Sequence, residues 1–327
     1  MQQSRWSIFK SIWKIQWDNY KKDSFNIFSG WVITTITLVV WLAFKNSGSM
    51  TYDEFVLASA IGISGIRNCL FNFHKTLHDF KSTLFFERLF NTKISKTFIF
   101  GTMILFNQIM NSCVTLFLVG LSMLFPEQRQ SIQSVNWFSF FLGFILLLLM
   151  SNLIAFILAF TIKKYEIAAV YGNIYYFGSV YLLGLGIPYS TLSSSQTIII
   201  ISFLFPQRYV LNIMDSGWIN DFYMQNESFG YNGNFWIPYV VSFILILVFL
   251  IILIFIFRRK FEYENKKYKR YSNTKKHLAI IYSIKRASTI SELEEAMKIW
   301  NSLLPKNEKM KKLRIKKIKI KKIKKGE

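Results

Sequence analysis

The chain has 327 residues, 52% of them hydrophobic and 18% aromatic, with a formal net charge of +22. That apolar share, combined with charge gathered at one end (24 of the 40 Lys and Arg follow Phe257), excludes an ordinary soluble domain and argues against a soluble nucleic-acid binder. Cys69 and Cys113 sit in apolar runs, and His74, His78 and His277 do not cluster, so neither a disulfide framework nor a zinc centre is expected.

In chain order, residues 1–24 come first. Trp6, Phe9, Trp13, Trp17 and Tyr20 recur at helical spacing, with the lysines largely elsewhere. Large aromatics and lysines suit the headgroup layer, so the segment reads as an interfacial amphipathic helix rather than a signal peptide. Residues 25–44 then form an uncharged run long enough to cross a bilayer. The second span, 55–73, contains Arg67, which is placed near the cytoplasmic end where it can snorkel. Its Ala58 and Gly62 allow close helix approach. A basic loop follows from His74 to about Thr97, and the i,i+4 pair His74 and His78 reads as part of a wet loop without a third metal ligand.

The third span is 98–125, ended by Pro126, and the fourth is 137–161, with an outer loop between them. A tight turn at Lys163, Lys164, Tyr165 and Glu166 leads to the fifth span, 167–187. The sixth, 237–257, is nearly pure aliphatic and aromatic. Between them, Ile198–Phe205 is too short to cross, and Pro188 and Pro206 bracket it. A crossing there would also put the basic tail outside. Residues 188–205 therefore read as re-entrant outer helices, followed by an outer loop with Asp215, Asp221 and Glu227.

Twelve Lys and Arg fall on the proposed inner segments before the tail, against Lys45, Arg129 and Arg208 outside. The fold class is thus an all-α membrane protein of six spans, N-in and C-in, with a basic cytoplasmic tail at 258–327. In the tail, Ser291 and Glu294 form a capping box before Met297, Trp300 and Leu304, and Pro305 stops that helix. Residues 311–325 alternate Ile with paired Lys and read as a polybasic arm. Anionic lipid is its simplest partner, and nucleic acid an unfavoured one. The richness in Lys, Ile, Asn, Phe and Tyr points to an AT-rich bacterial genome, hence a bacterial plasma membrane.

No Gly is followed by Lys, so the chain has no P-loop, and no H-E-x-x-H, G-x-S-x-G or G-x-G-x-x-G motif occurs. The spans hold no acidic residue near the midplane, where an ion-driven carrier would need one. Their central polar groups are the amides Asn107, Gln108, Asn111, Asn152 and Asn173. Two readings stand for them: hydrogen bonds between helices, or the lining of a translocation path.

The loop at residues 77–96 is the most informative segment. Leu77, Phe80 and Leu84 are spaced for one exposed helical face, followed by Glu87 and Arg88, as a membrane subunit needs in order to dock on a soluble motor. Glu87-Arg88-Leu89 and the polar, basic Asn91–Lys96 that follow resemble the corresponding loop of ABC-2 type (type V exporter-like) transporter permeases. Ile187-Pro188-Tyr189 and Phe205-Pro206 resemble that family's proline-bounded outer helices, and the order of parts agrees over about residues 1–260. The basic tail departs from the pattern.

The resemblance implies an ATP-driven exporter. This chain would be the transmembrane permease subunit, paired with a second copy or paralogue and coupled through the 77–96 loop to a separate ABC ATPase. ATP-Mg would be bound in that partner, with no cofactor bound here. A membrane scaffold acting through its polybasic tail on lipid or the ribosome, and an ion-driven carrier, are the alternatives. Deleting 306–327 would abolish the function of a scaffold and mostly spare an exporter.

Overall fold

The structure, a computed structural model, describes residues 5–45, 56–90, 94–183, 192, 195–225, 229–231, 233–271, 291–292 and 294. These are helices and turns, with no strand among the described residues. The chain divides into two compact units, Met1–Ile256 and Phe257–Glu327.

In the first unit, α1 (Arg5–Lys22) precedes α2, which begins as Ser24–Ile27, passes through a π-helical turn at Phe28–Val32 and continues as Ile33–Lys45. Asp23 starts α2 by accepting a hydrogen bond from the Phe25 N–H at 3.0 Å. Helix α3 runs from Val56 to Ser82 with a second π-helical turn at Asn68–Phe73. Then come α4 (Phe85–Phe90), α5 (Lys96–Ser122), α6 (Pro126–Gln133), α7 (Trp137–Thr161) and α8 (Tyr165–Leu182). Two short helices, α9 (Gln196–Ser202) and α10 (Gln207–Trp218), precede α11 (Trp236–Tyr271). In the second unit, beyond the end of α11, Ser291, Glu292 and Glu294 are helical and exposed. The rest of the capping-box helix and the polybasic arm lie outside the described residues.

Among the described residues, five helices are long and apolar enough to cross a membrane: Ser24–Ala43, Val56–Ser82, Lys96–Ser122, Trp137–Thr161 and Trp236–Arg259. The pair α9 and α10, bent by 109°, makes six if it counts as one span. Helix α8 matches the start of the expected fifth span but is not among the five. Glu166, Asn173 and its many tyrosines dilute its apolar character, and residues 184–187 lie outside the described residues. Helix α3 is the central element, with its apolar window 94% buried, whereas that of α11 is 17% buried and presents its side chains outward.

Several expectations are corrected. The segment His74–Ser82 continues α3 instead of opening a loop, so His74 is fully buried and stacks on Tyr165 at 5.6 Å rather than lying in water. The same extension puts Arg67 well inside α3. It does not snorkel but turns inward, 8% exposed, to the Tyr176 hydroxyl. Pro126 opens α6 as well as following α5, since its missing N–H and fixed φ suit a first helical turn.

The supposed outer loop around Asp215 is the buried helix α10. Its apolar residues Val210, Leu211, Ile213, Met214 and Trp218 find a partner in α7, and Asp215 is 1% exposed. In α1 the buried positions are Ile12 and Gln16. Trp6 is 61% exposed, and Lys10 and Lys14 line one groove with Trp6, Phe9, Trp13 and Trp17. The lysines and aromatics therefore share a face. The apolar contact of α1 with α5 comes instead from Trp13 and Tyr20, edge-on to Phe106 at 5.0 and 6.3 Å.

Candidate functional site

The loop between α3 and α5 is anchored from above. Leu77 and Phe80 belong to the last turns of α3 and are buried. Phe80 packs on Phe85 at 4.5 Å, and the buried Phe86 reaches Phe100 and Phe160 at 5.8 and 5.2 Å. Lys81 donates from Nζ to the carbonyls of Ala159 and Ile162 at 2.6 and 2.9 Å, satisfying the orphan acceptors at the C-terminal end of α7. Lys75 pairs with Asp23 at 2.6 Å, tying α3 to the start of α2. Burial pushes the Tyr165 hydroxyl above its ordinary pKa, which keeps the ring beside His74 neutral.

The single exposed helical face expected for Leu77, Phe80 and Leu84 does not form. Helix α3 stops at Ser82, and Leu84 takes a left-handed backbone with φ of 59° that closes the turn between α3 and α4. Leu84 is thereby separated from the buried pair and is exposed, as is Arg88 on α4. The Glu87 side chain lies outside the described residues. The loop thus has a buried aromatic base and a tip made of the turn at Leu84 and the exposed Arg88.

Three of the four predicted path amides meet inside the bundle. Asn107 Nδ2 donates to Asn152 Oδ1 at 2.6 Å, and Asn111 Nδ2 to the Asn107 carbonyl at 2.8 Å. Asn68 Nδ2 donates to Asn111 Oδ1 at 2.9 Å, and Asn72 Nδ2 to Asn68 Oδ1 at 3.0 Å. A chain of amides therefore crosses α3, α5 and α7 within one copy, in a setting where an unpaired amide is costly. Asn173 is half-buried on α8, and no hydrogen bond joins it to this chain; Gln108 makes only a long contact of 3.5 Å to the Ile145 carbonyl. The substitution Asn107→Leu should destabilise the fold by about 1–3 kcal/mol, because it strands the fully buried Asn152 Oδ1. Adding Asn152→Leu should recover part of that loss. Thermal unfolding in detergent measures both, and additive losses would contradict the pairing.

Sequence reasoning missed two buried arginines. Arg67 donates to Tyr176 Oη from Nε and Nη2 at 3.3 and 2.8 Å. Arg208, counted from sequence as an outer-loop charge, is 1% exposed. It bonds Ser202 Oγ and, at 2.8 Å, the Phe229 carbonyl, and its guanidinium lies 4.2 Å from the centre of the Phe203 ring. Beside it Gln207 Nε2 bonds the Tyr175 carbonyl and Ser179 Oγ, so the bent α9–α10 pair is fastened to α8. The apolar residues Val210, Leu211, Ile213, Met214 and Trp218, recurring at helical spacing after Arg208, were the available signal.

The structure therefore has a tightly packed helical bundle, a bent helix pair held on α7 and α8, and a loop whose tip stands on an anchored base. The model of the ABC-2 type transporter family matches residues 7–218. The chain belongs to this family. No curated protein and no solved structure matches it. As an ABC-2 type protein it is a multi-pass transport subunit, the permease component of an ABC-type exporter. ABC-2 permeases usually work with an ABC ATPase subunit and often dimerise. The matched region takes in nearly all of α1, the anchored loop, the amide chain and the bent α9–α10 pair, and it stops before α11.

Proposed function

We propose that this ABC-2 permease is driven through its 77–96 loop by a separate ATPase that binds ATP-Mg, and that two such subunits pair to form the exporter. The observation that carries the reading is the division of the loop in a chain of this family. Leu84 and Arg88 are exposed at the tip, while Leu77, Phe80 and Phe86 fix the base and Lys81 ties it to α7. A push on the tip reaches both α3, which is helical from Val56 to Ser82, and the end of α7. Rigid helices carry such a displacement to a bistable helix interface, where access alternates.

In this reading α1 lies along the cytoplasmic membrane surface, both chain ends are cytoplasmic, and α9 and α10 form a re-entrant outer element. The polybasic tail rests on anionic lipid of the bacterial plasma membrane. The amides Asn107, Asn111 and Asn152 hold helices together rather than line the path, because each is already engaged within the protomer.

The test exchanges charge at the tip. Arg88→Glu should lower the ATPase recovered with the tagged permease about tenfold, as loss of a central interface arginine does. The permease itself should keep its yield and unfolding midpoint, since Arg88 is exposed. Unchanged recovery of the ATPase would exclude the tip as the docking point.

A further inference from the structure

Where α1 meets α2, α3 and α5, the bundle forms a small, partly open cleft of about 20 Å³. Its walls include Gln16 from α1, Asn26 from α2, and Asn68, Asn72 and Thr76 from α3. Three amide atoms here are buried and make no hydrogen bond within the chain: Gln16 Nε2, Asn26 Oδ1 and Asn72 Oδ1. Their residues are 3%, 1% and 4% exposed. The orientation of Asn72 is set by its neighbours, because its Nδ2 donates to the Asn26 carbonyl at 3.4 Å and to Asn68 Oδ1 at 3.0 Å. Its oxygen is thus the free atom.

We infer that this cleft is a binding site for one water molecule, held jointly by Gln16, Asn26 and Asn72. The donor and acceptor types fit such a ligand. The site offers the Gln16 amino group and two carbonyl oxygens, and a water can accept a hydrogen bond from the first and donate one to each of the other two. An anion would meet two unpaired oxygens. A metal cation would meet the Gln16 amide hydrogens and too few oxygens, since hard cations take six or more. The volume matches as well, being just above the least space that a single water needs.

The water would add to the polar attachment of α1 to the spans, beside three direct contacts. Asn19 Nδ2 reaches Thr76 Oγ1 at 3.3 Å, Trp31 Nε1 donates to Tyr20 Oη at 2.8 Å, and Lys75 pairs with Asp23 at the α1–α2 junction. The inner side of α1 is thus polar toward α2 and α3 and apolar only toward α5. A water-mediated joint keeps its hydrogen bonds through small rotations, whereas interlocked side chains do not. The site does not depend on the transport reading. If that reading holds, it lies where α1 would pivot.

The test is a cryo-EM map of the intact permease assembly at a resolution that shows ordered water. A single peak within hydrogen-bond distance of all three amide atoms supports the site. A cleft in which the three amides have turned to bond one another, or one filled by a lipid headgroup or a multiply coordinated ion, overturns it. Gln16→Leu provides a second readout that needs no map. It should raise amide hydrogen exchange over residues 12–22 about tenfold while leaving exchange in α7 unchanged. Equal exchange in both proteins would show that no bridging water holds α1.

Discussion

Gly143→Ala is expected to be among the most damaging single-carbon additions in this protein. A Cβ at Gly143 would lie 2.4 Å from the Met214 backbone nitrogen and 2.6 Å from its Cα. The contact is reciprocal: a Cβ at Gly217 would lie 2.3 Å from the Phe140 nitrogen. Helices α7 and α10 thus touch backbone to backbone, each supplying a glycine, and the Asn136 N–H donates to the Gly217 carbonyl at 2.8 Å. A side chain could rotate away from the added methyl, but a helix backbone cannot. The expected cost is about 3 kcal/mol, the upper part of the overpacking range, against a propensity gain of about 1 kcal/mol from replacing a helical glycine. Gly101→Ala is the control, because its Cβ would meet nothing within 4 Å. Thermal unfolding in detergent should show a lowered midpoint for Gly143→Ala and an unchanged or raised one for Gly101→Ala. Equal midpoints would mean that α10 is not seated on α7 as described.

The second large effect belongs to Tyr176→Phe, which removes one oxygen atom. That oxygen accepts two N–H groups of Arg67, at 3.3 and 2.8 Å. Arg67 is a charged residue 8% exposed inside a candidate membrane span, where water cannot replace the lost acceptor. The phenylalanine ring can keep the packing of Tyr176 on Phe71, so the loss is confined to the hydrogen bonds. Stranding a buried charge costs about 3–5 kcal/mol. The double variant Arg67→Met, Tyr176→Phe removes charge and acceptor together and should return most of that stability, since an apolar pair of similar volume often substitutes for a buried polar one. Unfolding midpoints of the two single variants and the double close the cycle. A double variant no more stable than Tyr176→Phe would show that Arg67 serves some purpose other than this bond.

The long uncharged segments made most of the helices that are apolar enough to cross a membrane legible in the sequence. The segment read as the fourth span coincides with the helix Trp137–Thr161, where Asn136 caps the helix and the Lys163–Lys164 turn follows it. The family was legible from the order of parts and from the 77–96 loop. Side-chain direction was not. Leu77, Phe80 and Leu84 satisfy a helical spacing, but spacing cannot show that the helix stops at Ser82, a break fixed by a left-handed Leu84 that most sequences would give to Gly or Asn. The same limit hid α10. Arg208 and Asp215 read as solvent charges because their burial depends on partners distant in sequence, such as Phe229 and the α7 glycine. The amides Asn107, Asn111 and Asn152 were recognised as a group, but which helices they join depends on packing that no spacing encodes.

The measurement that bears most directly on the account is purification of the tagged full-length chain from its native membrane in mild detergent, followed by identification of what accompanies it. An ATP-driven permease should come out with a P-loop ATPase subunit in equal copies, and the complex should hydrolyse ATP. A monodisperse chain recovered without any ATPase, and active in transport in vesicles free of ATP, would contradict it.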